Sequence, residues 1–171
     1  MSEEPELVKK AHVDFIEAGA SVITLNTYST TPERLEANNL LGKFSFFHKK
    51  AIDLAREAID YTQKDVLIAG CLPPLVWSYR PDKAPNYEKC VELYLQIVRE
   101  QENFVDLFIC ETMASIKEAK AAVMAAKTSG KTIWCGLTLE DNENCELRSG
   151  EKLIDCVNEL RSLGQQEIVL N

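Results

Sequence analysis

No apolar run in this chain approaches the roughly 20 residues that cross a membrane, which excludes a spanning helix of that kind. Basic residues are in short supply: 19 Lys and Arg stand against 27 Asp and Glu, a net charge of −8. An acidic surface repels nucleic acid and anionic membranes, so neither is expected as a partner. None of the six cysteines, Cys71, Cys90, Cys110, Cys135, Cys145 and Cys156, forms a Cys-x-x-Cys pair, and their spacing suits neither a zinc knuckle nor a disulfide scaffold. Five of them fall in expected strands or helices and read as small buried hydrophobes, while Cys145 reads as a loop thiol. The opening Met-Ser-Glu-Glu-Pro-Glu is acidic and unlike a signal peptide, so a cytoplasmic location is expected. A length of 171 residues suits one core, here read as a single domain over residues 1–171.

What the chain does have is a repeated alternation. Val22, Ile23 and Leu25 form an apolar run suited to a strand buried on both faces, which turns polar at Asn26, Thr27 and Tyr28. Further strands are expected over residues 66–70, 105–110, 132–139 and 167–170. Helices are expected between them: Pro5 to Gly19, a short one opened by Thr31-Pro32-Glu33 and broken at Asn38-Asn39, and Lys43 to Gln63. Others span Tyr87 to Phe104 and Ser115 to Lys127, with a last one capped by Ser149. Phe44, Phe47, Ala51, Leu54, Ala58 and Tyr61 form an inward stripe, whereas His48 with Lys49 and Lys50 reads as a solvated face. His12 reads as structural. Ser115-x-x-Glu118 has the form of a capping box. Glu140-Asp141-Asn142-Glu143-Asn144 lacks the ordered ligands of a calcium loop and is expected to face solvent.

Strict strand–helix alternation implies parallel βαβ units. Each strand ends in a small or polar residue: Asn26, Gly70, Glu111, Thr138 and Asn171. One shared polar rim fits an α/β fold of the (β/α)8 TIM barrel type better than an open sheet, although five strands are fewer than eight. A carboxylate following Leu107-Phe108-Ile109-Cys110 is costly to bury unpaired, so Glu111 is the leading candidate for binding a substrate ammonium or hydroxyl. The long loop after Pro73-Pro74 carries Trp77 and Tyr79, whose rings could face a cationic donor.

The segments His12-x-x-Phe15-x-x-Ala18-Gly19-Ala20, Asn26-Thr27-Tyr28, Ala69-Gly70-Cys71, Glu111-Thr112 and Arg148-Ser149-Gly150-Glu151 occur in an order that resembles the homocysteine S-methyltransferase family. The resemblance implies a zinc-dependent (β/α)8 barrel that moves a methyl group from a sulfonium or ammonium donor, such as S-methylmethionine, to homocysteine, forming methionine. It places Asn26, Thr27, Tyr28, Gly70, Glu111, Thr112 and Asn171 at the substrate pocket. It also implies that this chain holds the second to sixth strands without the zinc ligands, so the chain alone is expected to be inactive, with open sheet edges prone to self-association. Cys71, Cys110 and Cys135 are the nearest substitute ligands, but Cys135, four residues before Leu139, is expected to lie about 13 Å too deep. Two other readings remain: a non-catalytic degenerate or truncated paralogue that binds a small amino acid or self-associates, and an unrelated enzyme on an open sheet.

Overall fold

The computed structural model describes residues 3–165 and 167–170. Helix α1 (Pro5–Glu17) leads into β1 (Val22–Thr24), then α2 (Pro32–Ala37), α3 (Phe44–Thr62) and β2 (Leu67–Leu72). Next come α4 (Tyr87–Gln101), β3 (Leu107–Met113), α5 (Ile116–Lys127), β4 (Thr132–Leu137), α6 (Leu153–Ser162) and β5 (Ile168–Leu170). All five strands are parallel and stand in sequential order, β1-β2-β3-β4-β5. No reversal occurs along the sheet, so an open doubly wound fold is excluded. α1 packs on α3, α3 on α4, α4 on α5 and α5 on α6, which places the helices in one continuous outer layer. This is the arrangement of a (β/α)8 barrel segment.

The sheet's two faces differ accordingly. Phe108, Cys110, Ile133 and Cys135 face the helices and are buried. On the other face run register partners Cys71, Ile109 and Trp134, the last two only half-buried. β1 pairs only with β2 and β5 only with β4, so among the described residues each keeps one unpaired edge.

Several local expectations are corrected. β3 runs on through Glu111 to Met113, with a register shift between Cys110 and Met113. Ser149 does not cap the last helix, which begins at Leu153 behind Lys152. Ser149 lies instead in a turn closed by the Gly150 N–H on the Leu147 carbonyl, between the antiparallel bridges Leu139↔Leu147 and Glu146↔Lys152, and its hydroxyl donates to Glu151. Tyr61 is 72% exposed, because at 3.6 residues per turn it lies roughly 100° from the centre of the buried face of α3. His48, far from being solvated, lies roughly 50° from that centre on the side away from Tyr61 and is fully buried.

The capping box forms by half. Ser115 accepts from the Glu118 backbone N–H, but the Glu118 carboxylate accepts from the Leu75 N–H at 2.8 Å and lies 3.3 Å from the Tyr94 hydroxyl. Glu118 thus pins the loop after β2 to the helix layer. Replacing it with alanine is expected to cost about 2 kcal/mol in urea unfolding, because the buried Leu75 donor is orphaned. Glu118→Gln, which keeps an acceptor, should cost less than half of that. An alanine variant as stable as the parent would remove Glu118 from this role.

Candidate functional site

The carboxyl ends of β1, β2 and β3 meet at one rim. After β1 the Leu25 N–H still pairs with the Ala69 carbonyl, and the chain then turns sharply as the Thr27 N–H reaches back to Leu25 at 2.7 Å. That turn leaves Asn26 exposed, Thr27 buried and Tyr28 half-buried. Arg34 locks the turn: its guanidinium lies 5.0 Å from the Tyr28 ring centroid and donates to the carbonyls of Tyr28 and Pro74. The Tyr28 hydroxyl meets Ser78 Oγ at 2.6 Å. The bonds to Pro74 and Ser78 therefore hold the loops after β1 and β2 together. The Thr31 hydroxyl adds a third by donating to Leu75.

Glu111 enters this rim from β3. The next residue, Thr112, has φ of 60° and is buried, an outlier for a β-branched side chain. The left-handed step coincides with the break in the β3–β4 register. Such bulges re-aim side chains beside functional sites. Glu111 turns to the concave side, where its Oε1 accepts from the Cys71 thiol at 2.8 Å. Burial pushes that thiol well up from its ordinary range, and the Glu111 charge pushes it further, so it stays protonated and donates. No described residue donates to Glu111 Oε2, which remains available to a ligand.

Asn26, Tyr28 and Glu111 line one end of an open groove of about 590 Å³ that runs along the free edge of β1 to α1. His12 lies in its floor, buried and shifted towards the neutral form by that burial; its Nε2 has no partner among the described residues. Structure therefore brings together Asn26, Tyr28 and Glu111, with Thr27 and Thr112 buried immediately behind. Gly70 is placed differently. A Cβ there would point to the helix layer, 2.5 Å from the Phe108 ring and 2.7 Å from Gln101 Oε1. Its missing side chain gives room to Gln101, whose Oε1 accepts from the Cys71 N–H at 2.9 Å. Asn171 lies outside the described residues. Trp77 is 66% exposed, while one face of the Tyr79 ring is covered by the Arg148 guanidinium at 4.7 Å.

The buried polar residues behind the rim, Gln101 and His48, escaped the sequence reading. The available signal was His48 at spacings of four from Phe44 and three from Ala51, within the apolar stripe.

The described residues bring together no group of three or more His, Cys, Asp or Glu that could hold a metal ion. Cys110 and Cys135 are register partners at one level, so depth does not separate them. The separation is by face: both point to the helices while Cys71 points to the concave side. The hydrogen bond to Cys135, with burial, pushes the Cys110 thiol up, away from the thiolate that zinc requires. The cysteines present do not fit a zinc site.

Against this geometry stand the comparisons. The profile of the family described as Homocysteine S-methyltransferase matches residues 1–171. Betaine--homocysteine S-methyltransferase 1 from Rattus norvegicus is 33% identical over 135 residues, covering 77% of this chain and 32% of that protein. Homocysteine S-methyltransferase from Escherichia coli is 28% identical over 171 residues, covering 91% and 54%. The crystal structure of the homocysteine methyltransferase MmuM from Escherichia coli, metallated form, superposes with a TM-score of 0.83 at 26% identity, covering 98% of this chain and 62% of that one. The chain thus spans 32% to 62% of the length of these relatives. A sequential parallel sheet with its helices on one side, a strained strand end that presents a carboxylate, and a profile match along the whole chain agree: the chain belongs to the homocysteine S-methyltransferase family.

Proposed function

We propose that this chain forms one partial barrel domain, residues 1–171, supplying the homocysteine-binding rim of a methyltransferase that converts homocysteine to methionine. The observation that carries the reading is Glu111, a carboxylate turned to the concave side with one oxygen held by Cys71 and the other open. Such an oxygen suits the substrate's ammonium group, and Asn26 and Tyr28 border the same groove. Thr27, Gly70 and Thr112 support these residues from behind, and Asn171 is assigned to the same rim by resemblance. The methyl donor is a sulfonium or ammonium such as S-methylmethionine, with exposed Trp77 offering it an aromatic face. Zinc, implied by the family, is assigned to residues other than these, so the contribution of this chain is to bind and orient the substrate. The acidic surface and the cysteine usage support a cytoplasmic site of action.

Titration of the chain with L-homocysteine, followed by NMR, tests this. Glu111→Gln is expected to weaken binding about tenfold, the loss of one charge-assisted contact at a partly exposed site. Absence of any homocysteine response at the rim, or equal affinity in the variant, would reject the reading.

The unpaired edges of β1 and β5 carry a second consequence. Exposed strand edges template pairing, and Val169 and Leu170 are each about half exposed. Sedimentation velocity of the isolated chain should show concentration-dependent association. A monomer across the whole concentration range would contradict it.

A further inference from the structure

We propose that Gln101 and His48 are positioning residues for the Glu111 carboxylate, acting through a network of hydrogen bonds that joins the helix layer to Cys71 at the strand end. The proposal rests on the reading of Glu111 as the substrate's ammonium partner.

The directions of the bonds around Gln101 follow from one unambiguous donor. The Cys71 backbone N–H can only donate, so the Gln101 atom that meets it at 2.9 Å is the carbonyl oxygen, and the amide nitrogen lies on the other side. That nitrogen stands 3.0 Å from His48 Nδ1 and 3.2 Å from Thr27 Oγ1. Having only protons to offer, it makes Nδ1 an acceptor, and the neutral imidazole carries its proton on Nε2. The far side of the ring agrees. His48 Nε2 lies 3.3 Å from the Thr30 carbonyl, an acceptor, and the Thr30 hydroxyl spends its own proton on the Thr27 carbonyl at 2.8 Å. One tautomer satisfies all of these contacts.

From Gln101 the network continues to the rim. The second amide proton goes to Thr27 Oγ1, while Gln101 Oε1 holds the Cys71 N–H, so the strand end that carries the thiol is fixed. The Cys71 thiol then donates to Glu111 Oε1 at 2.8 Å. The Cys71 thiol points at the carboxylate, and the Gln101 amide, fixed by His48 and Thr27, holds the Cys71 backbone from behind. Gln101 and His48 are fully buried, Thr27 and Cys71 almost so, and their contacts link α3, α4 and the ends of β1, β2 and β3. A plain apolar core would fill this space without needing a partner for each atom, so the arrangement has to be accounted for by what lies at its end. It fixes which carboxylate oxygen is occupied and which is left for substrate. Gly70 belongs to the device, because any side chain there would displace Gln101.

The test uses the 171-residue chain, with L-homocysteine as the probe. Gln101→Leu is expected to speed hydrogen exchange at the Cys71 amide at least tenfold, with Phe108 and Cys110 amides unchanged. It should also shift the Glu111 carboxyl carbon resonance and release the fixed His48 tautomer in long-range proton–nitrogen spectra. Homocysteine affinity should fall about fivefold in Gln101→Leu, and by nothing further when Gln101→Leu is added to Glu111→Gln. Cys71→Ala should lose affinity similarly, and Cys71→Ser, which keeps a donor, should restore most of it. Equal losses from Gln101→Leu in the parent and Glu111→Gln backgrounds would overturn the proposal, as would an unmoved Glu111 resonance. If the parent fails to bind homocysteine, the proposed function falls, and the Glu111 resonance and the His48 tautomer still decide the network.

Discussion

Lowering the pH from 7 to about 4 should remove about 3 kcal/mol of folding stability through His48 alone. Burial drives the imidazole down from 6.5 to about 4, opposed weakly by its hydrogen bond to Thr30 and by the charge of Glu100. The sign follows from proton counting. Between pH 6.5 and 4 the unfolded chain protonates this ring and the folded chain does not, so protons favour unfolding across that window. The contribution is complete above pH 6.5 and is lost as the pH falls towards 4. His12, also lowered by burial, acts in the same direction. Glu118 opposes them, because burial raises its carboxyl and its ionisation above pH 4.5 weakens the fold. Urea unfolding of the parent and of His48→Gln at matched pH isolates the His48 part, since the other groups are common to both. The stability difference between them should change by about 3 kcal/mol across the window. A constant difference would mean that His48 titrates as a free imidazole, and its place in the buried network would be wrong.

Gly70→Ala should cost a similar amount, about 3 kcal/mol, near the upper end for overpacking a core. The added methyl would stand 2.5 Å from the Phe108 ring and 2.7 Å from Gln101 Oε1. Phe108 is fully buried and cannot swing away, and Gln101 cannot retreat without releasing the Cys71 N–H. Thermal and urea unfolding measure the cost, and hydrogen exchange at the Cys71 amide reports the second effect. An alanine variant with unchanged stability would show that the ring has slack at this position.

Both predictions concern residues whose roles the linear chain obscures. His48 precedes Lys49 and Lys50, and those neighbours suggest a wet surface, although its spacing from Phe44 and Ala51 sets it inside. Gly70 ends an apolar run at the expected rim and so suggests a ligand's approach. The direction of its absent side chain depends on the pairing of β2 with β3, where Gly70 faces Phe108.

What the sequence determined by itself is the succession of elements and the place of the rim. Period-2 and period-3.6 patterns are local, and so are the caps at Thr31 and Ser115 and the interruption at Asn38-Asn39. The motif order was enough to indicate the family, and Glu111 stood out because a carboxylate after an apolar strand is costly. Tertiary structure alone decided which face each rim residue takes. The left-handed step at Thr112 and the register shift beside it turn Glu111 inward. The clearance at Gly70 admits Gln101, and the packing of α3 and α4 on the strand ends brings His48 within 3.0 Å of it. These contacts join residues 30 to 74 positions apart, such as Cys71 with Gln101 and Thr27 with Gln101. No local propensity encodes them, because each exists only once the sheet has set its register.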